Sequence, residues 1–525
     1  MYDFVLKGGS IIDGTGRPAY KADIAIKDGK IAKIADEITC RDAQVLDVTS
    51  LAVAPGFIDI HSHSDTSFLL DDRCESKLYQ GVTTEVAGQC GSSIYPCPDD
   101  HMENIRHFAG SKLTDYASAS FQEFMDRVKA DGKKMGTNLV SLIGHGALRC
   151  GVMGYENRKA TPEELNQMQS LLERDMQAGA WGLSLGLGYT PGVSSDQAEL
   201  NALASVVARY NGKVTSHMRD QGTNTPTSLE EMYGINRSTG AHVHISHFKA
   251  SGRANWGRAP EFVQNVADAR KSGINVTVDV YPYTAASSGI TNSFPKWAIQ
   301  GGQEKAVARL LGEERQQIID FLNQAFQTQA DGEALYMVTT GGRYPIADGK
   351  TVWELSQELG LSMAETIAKV TVETNARTTC IAHAMSEDDV NYMLSQNNYA
   401  IGSDGRALPL AASENEGKPH PRNYGTFPRF LRLAKEKGLC SLEVAVHRIT
   451  KLPADMLALS DRGVLQAGKV ADITVFDPNK VTDTATYVDP FQKPVGIAHV
   501  FMSGQPALLH GQQTEHRLGQ FLLKR

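Results

Sequence analysis

The run APGFIDIHSHSD, residues 54–65, is apolar until it ends in two histidines one residue apart, His61 and His63. In a β-strand, residues i and i+2 share a face, so both imidazoles can converge on one point just past the strand's end. Further on, Cys90 in VAGQCG, His217 in KVTSH, His247 in HVHISH and Asp404 in AIGSDG each follow a short β-branched run. A thiolate and neutral imidazoles suit a borderline-soft divalent ion, Zn²⁺ above all, and a catalytic zinc keeps three protein ligands and an open position. Asp404 is then the carboxylate placed to shuttle a proton to and from an activated water. In HVHISH, alternation puts His242 and His244 on one face and His247 on the other. Only His247 stands at the strand's end, so it is the ligand candidate and the other two are packing or supporting residues.

These residues need a scaffold that gathers strand ends. Eight apolar runs (GFIDIH, VTTEVAG, NLVSLIGH, WGLSLGL, KVTSH, HVHISH, NVTVDVYPY and NYAIGSD) are separated by helical patterns. One helix is signalled by a capping box, with Thr161 at the N-cap, Pro162 at N1 and Glu164 at N3; another starts at Ser386 with Asp389 three residues on. Strands alternating with helices predict an α/β protein with a parallel sheet. Eight such units predict a closed (β/α)₈, TIM-like barrel whose strand C-termini form one rim. Residues 284–397, between the seventh and eighth runs, exceed any ordinary connection and carry a helical pattern from Glu304 to Phe326. An inserted subdomain is therefore expected at 285–345. Both chain ends read as short strands with turn residues between them. They predict a small β-sandwich domain from residues 1–54 plus 460–525, beside a barrel of 55–459.

Composition narrows the function classes. The chain has 525 residues, 41% of them hydrophobic, with a formal net charge of −8, and no stretch concentrates Lys and Arg as a nucleic-acid footprint would. No signal-peptide pattern opens the sequence and no window of membrane-spanning length is apolar, so a cytoplasmic protein without a membrane partner is expected. The seven cysteines are scattered and odd in number, which predicts reduced thiols.

The segments PGFIDIHSHSD, GVTTEVAGQCG, IGHGALR, GAWGLSLGLGYTPG, SHMRD, SHFKASG, DVYPYTA, IGSDG, HPRNYGTFPR and GKVADITVFDP span nearly the whole chain. In that order they resemble the N-acyl-D-amino acid deacylases (D-aminoacylases) of the amidohydrolase superfamily. The H-x-H pair and ADITVFDP are superfamily-wide, whereas GQCG, SHFK and HPRNYGTFPR are much narrower. The resemblance implies a tightly held Zn²⁺ on Cys90, His217 and His247, and a second, weaker metal at His61 and His63 with the thiolate able to bridge. WGLSLGL has no lysine where many superfamily members bridge two metals with a carbamylated one, consistent with the thiolate taking that place.

The same resemblance implies that Lys249, Tyr281, Ser287 and Arg422 grip the α-carboxylate of a small N-acylated amino acid, although the loop leading to Arg422 is longer than the family pattern. Acid-selective members place an arginine early in the insertion. Here SSGITNSFPKW offers only Lys296, so neutral or apolar side chains are expected. The reaction implied is zinc-dependent amide hydrolysis to a carboxylate and a free D-amino acid. Tyr189 helps polarise the carbonyl, Asp404 moves the proton, and His145 supports from behind. The D preference comes from the resemblance alone. Two alternatives are a cyclic-amide hydrolase of hydantoinase or dihydropyrimidinase type and a non-catalytic interaction protein on the same fold. The missing lysine and the GQCG cysteine count against the first, and the complete ligand set counts against the second.

Overall fold

The structure, a computed structural model, describes residues 1–97, 116–412 and 417–525. Eight short strands in its middle coincide with the eight apolar runs. They are β1 (Phe57–Asp59), β2 (Val82–Ala87), β3 (Asn138–Ser141, resuming after Leu142 as Ile143–Gly144), β4 (Gly182–Gly186), β5 (Lys213–His217), β6 (His242–Ile245), β7 (Val276–Val280) and β8 (Ala400–Ile401). Each pairs in parallel with the next, the two halves of β3 facing β2 and β4 respectively. Just past β8, Gly405 makes a parallel bridge to Ser62, just past β1. Parallel strands covered on both faces read as continuous hydrophobic runs, which is why these segments were legible. Between the strands, Ile58, Val86, Val140 and Ala400 pack with Met456 and Leu457. Helix Pro162–Gln177 opens with the expected capping box, and Ser386 caps Glu387–Leu394.

Three expectations are corrected. The segment between β7 and β8 forms one body over residues 285–383, not 285–345. Its first strand, Ala285–Gly289, pairs with Thr379–His383, which also pairs with Leu335–Thr339. Helices Val352–Leu359 and Met363–Glu373 close its separate core around Leu310, Ile318, Leu335 and Ile367. A pairing partner this far along the sequence leaves no local signal at residue 345. The chain ends form one hydrogen-bonded nine-stranded sheet that is mixed, because Phe4–Ile11 runs parallel to both Gln44–Asp47 and Ala52–Pro55. Phe4 and Phe501 lie on strands three places apart, yet their rings are 5.3 Å apart. A flat sheet would separate them by roughly 14 Å, so this one curls over its core. Finally, the last residues leave that sheet. Gln520 and Leu522 hydrogen-bond Leu139 in β3, and Phe521 inserts among Phe68, Phe121 and Phe124. Burial of these apolar side chains draws the tail across.

Among the described residues, no helix is long and apolar enough to cross a membrane.

The ends of β1 and β8 are held by a buried charge network that no sequence pattern announced. Lys77 has no exposed side-chain surface; its ammonium lies 2.7 Å from Asp59 Oδ2, 3.3 Å from Glu85 Oε2 and 2.8 Å from Ser403 Oγ. Asp59 Oδ1 accepts the backbone N–H of Ser403 at 2.8 Å and that of His61 at 3.3 Å. Removing one partner of a buried ion pair strands the other charge in a medium that solvates it poorly. Lys77→Met should therefore lower stability by about 3–5 kcal/mol, measured by urea denaturation. A loss below about 1 kcal/mol, the range of an exposed pair, would refute the network's role.

Candidate metal centre

The residues singled out at the strand ends meet at one place. Donor atoms of His61, Cys90, His247 and Asp404 all lie within 4.8 Å of one another. Cys90 Sγ is 3.4 Å from both His61 Nε2 and His247 Nε2, and His217 Nδ1 is 3.0 Å from His247 Nε2. His63 Nε2 lies 3.0 Å, and His61 Nε2 3.5 Å, from Asp404 Oδ1. Three of these residues have left-handed backbone: Cys90 at φ 55°, His247 at 37° and Asp404 at 51°. Non-glycine residues in that region are strained by about 1–3 kcal/mol each and persist only where surrounding contacts enforce them.

Those contacts are visible. In AGQCG, Gly88 has φ 80°, and a Cβ there would sit 2.1 Å from the Leu142 carbonyl oxygen; Gly91 has φ 78° and lies against Gly186 of β4. Only glycine allows this close approach. Between them Gln89 donates to the Ile60 carbonyl at 3.0 Å and accepts from Thr215 at 2.8 Å, locking the loop that presents Cys90. At His247, the backbone N–H donates to Asp279 Oδ1 at 2.8 Å. Asp279 Oδ2 accepts from His61 Nδ1 at 3.2 Å and from His244 Nε2 at 2.8 Å. With Nδ1 of His61 so engaged, its Nε2 faces the cluster. Asp279 was missed from sequence, although an acid inside VTVDV was a signal. Gln221, whose amide lies 3.3 Å from His247 Nδ1, gave none.

The electrostatics divide the donors. Burial would raise the Cys90 thiol, but the charges of His61 and His247 and hydrogen bonds from His217 and His247 bring it well below its usual range. Burial, then Lys249, lowers His247 to about 4, and burial lowers His217, leaving both rings neutral. Burial would also lower His61, yet Asp279 and Cys90 raise it well above normal; at His63, hydrogen bonds to Asp404 and Cys90 overcome burial to reach about 9. Beside the raised His61 and His63, a thiolate, the Asp404 carboxylate and the neutral rings of His217 and His247 thus meet at one place, a donor set that suits a borderline-soft divalent cation.

The cluster floors a cavity of about 850 Å³. Tyr189, Lys249, Ser287 and Arg422 line it; the Tyr189 ring rests on His217, with centroids 4.3 Å apart. Tyr281 does not line this cavity. It lies beneath Lys249 and Arg422, which sit 4.8 and 5.4 Å from its ring centre, and its buried hydroxyl has no hydrogen-bond partner among the described residues. Arg422 Nη1 donates to Asp404 Oδ2 at 2.7 Å. The long loop before it includes residues 413–416, outside the described residues, yet Arg422 is delivered to the site. Burial would raise the Asp404 carboxyl; Arg422, followed by the nearby histidines, holds it well below the usual carboxylate range. His145 stands apart, 2.7 Å from Glu199.

The Amidohydrolase family profile matches residues 44–346 and 357–507. The chain is 32% identical to the D-aminoacylase of Alcaligenes xylosoxydans xylosoxydans over 100% of its own length and 98% of that protein. It is 33% identical to the N-acyl-D-glutamate deacylase of the same organism over 99% and 96% of the two chains. Among solved structures, the Bordetella bronchiseptica N-acyl-D-glutamate deacylase, complexed with zinc and a phosphonate inhibitor, superimposes with a TM-score of 0.84 at 31% identity, covering both chains fully.

Partners that orient a metal-facing histidine change metal affinity about 10–100-fold when removed. Asp279→Asn should weaken divalent-metal binding by that order, read by competition with a chromophoric chelator. Affinity within twofold of wild type would strip Asp279 of the role.

Proposed function

Because the chain belongs to the amidohydrolase family, we propose that it is a zinc hydrolase cleaving the linear amide of N-acyl-D-amino acids to a carboxylate and a free D-amino acid. The single observation that carries this is the convergence of a thiolate, four imidazoles and Asp404 beneath a cavity walled by Lys249, Ser287 and Arg422. The eight parallel strands read as a closed (β/α)₈ barrel, with the curled sheet as its β-sandwich companion. Cys90, His217 and His247 would hold the principal zinc, and His61 and His63 would offer a second, weaker position within reach of the same thiolate; β4 reads GLSLG, with no lysine. Bound zinc supplies Lewis acidity toward the acyl carbonyl and toward water.

The chain's own residues divide the remaining work. Asp404 accepts a proton from the attacking water and returns it to the leaving amine. Tyr189, kept protonated by burial and by the charge of Cys90, donates its hydroxyl to the oxygen on which negative charge develops. Arg422 keeps part of its guanidinium fork for the substrate α-carboxylate while one nitrogen holds Asp404. Lys249 and Ser287 complete that grip, with the Tyr281 ring supporting Lys249 and Arg422 from beneath. The side-chain pocket is walled by Met218, Phe294 and Ile299. Of the cations on that side of the cavity, Arg219 is paired with Glu231 at 2.9 Å and Lys296 approaches the Gly188 carbonyl at 3.5 Å. Neutral or apolar side chains fit such a wall better than a second carboxylate. The D preference is supported by the relatives.

Turnover of paired N-acetyl-D- and N-acetyl-L-methionine, with N-acetyl-D-glutamate and a hydantoin alongside, tests the reading; N-acetyl-D-methionine should be the preferred substrate. Asp404→Asn should retain its zinc and lose about 10²-fold or more in kcat. Preference for the hydantoin, or near-normal turnover by the variant, would overturn the substrate class or the proton shuttle respectively.

A further inference from the structure

The motif HPRNYG, residues 420–425, delivers Arg422, but its histidine takes no part in the chemistry above. His420 is buried, with 2% of its surface exposed. Its Nδ1 accepts the backbone N–H of Arg422 at 3.0 Å. A neutral ring accepting at Nδ1 carries its proton on Nε2, which lies 3.1 Å from the Ala285 carbonyl oxygen and donates to it. The ring cannot swing away, because Tyr283 and Tyr487 hold it edge-on from two sides with centroids 5.1 Å distant on each.

The two groups so joined belong to different bodies. Arg422 opens helix Arg422–Glu436, which packs through Phe427 and Phe430 into the main core. Ala285 opens the first strand of the insertion, whose core is separate. Ser287 is two residues further along that strand, on the same side by alternation. The neighbouring tether, from the Tyr283 hydroxyl to the Pro421 carbonyl, is longer at 3.4 Å. We propose that His420 is a positioning residue for carboxylate recognition, fixing the Arg422 guanidinium relative to the Ser287 hydroxyl by clasping the backbone beside both. This rests on the deacylase reading of the site.

Two amide variants divide the clasp. In His420→Gln the side-chain N–H can still reach Ala285, but the acceptor for Arg422 is gone; His420→Asn places an oxygen near Nδ1 and falls short of Ala285. The measurement is kcat/KM for N-acetyl-D-methionine over that for its α-carboxamide, in zinc-loaded enzyme. Each variant should lower the ratio about tenfold, the order of one hydrogen bond, through a raised KM for the carboxylate substrate, with kcat within about threefold and zinc content unchanged. A purely structural role would depress Tm and both substrates alike. A ratio within twofold of wild type in both variants, or a wild-type ratio near one, would overturn the proposal. If the wild type turns over no N-acyl-D-amino acid, the deacylase reading fails by itself. The clasp is then judged on crystals of the variants: a widened Arg422–Ser287 separation supports it, and an unchanged one rejects it.

Discussion

The site depends on one buried carboxylate. Asp279 is fully enclosed, yet both of its oxygens are engaged by histidines, one by the His247 backbone and the other by the rings of His61 and His244. Burial alone would favour its neutral form; the charge of His61 and the hydrogen bonds from His244 and His61 keep it ionised, well below the usual carboxylate range. An ionised acid that cannot reach water exerts a strong directional demand on its donors. That demand sets the left-handed backbone at His247 and the outward-facing Nε2 of His61 together. Beneath the same strand ends, Lys77 binds Asp59 and Ser403, so the segments carrying His61 and Asp404 cannot part without exposing an unpaired charge. Strain at His247 and Asp404 is tolerable because these two networks enforce it, as the Gln89 contacts do at Cys90.

What could be read from the sequence, and what could not, follows from the same physics. His61, His63, Cys90, His217, His247 and Asp404 were legible because each ends a β-branched run, and a parallel sheet puts its strand ends on one rim. Asp279 was not recognised because its partners are set by strand order: β7 lies beside β6 and β8, and β1 follows beyond β8. Lys77 carried no local mark at all. The insertion was seen at its start and misplaced at its end, since strand Thr379–His383 acquires its meaning only by pairing with Ala285–Gly289. Tyr281 was expected among the carboxylate contacts; it stands instead under Lys249 and Arg422, outside the cavity lining, where its ring face lies against two cations.

The insertion gives the cavity its second wall. Ser287, Phe294, Lys296 and Ile299 all come from it, while the donors on the floor come from the parallel strands. The two bodies have separate main cores and meet through a small apolar cluster in which Tyr487 packs against Ala285, Val338 and Ile381, so polar contacts across the seam add direction to that packing.

Arg422 joins the two halves of the reaction. In the substrate-free arrangement its Nη1 holds Asp404 at 2.7 Å, which keeps that carboxylate charged and a weak base. A substrate carboxylate entering beside the same guanidinium brings a second negative charge to one cation, and the share of the guanidinium's charge left to Asp404 falls. The basicity of Asp404 then rises as the substrate is seated. In the proposed reaction, a base held down by an arginine when the site is empty, and less so when substrate is bound, would favour proton transfer in the occupied site. On the proposed reading, the electrostatics that would recognise the α-carboxylate would therefore also tune the proposed proton shuttle, and that coupling would depend on the placement of Arg422 at the seam between the two bodies.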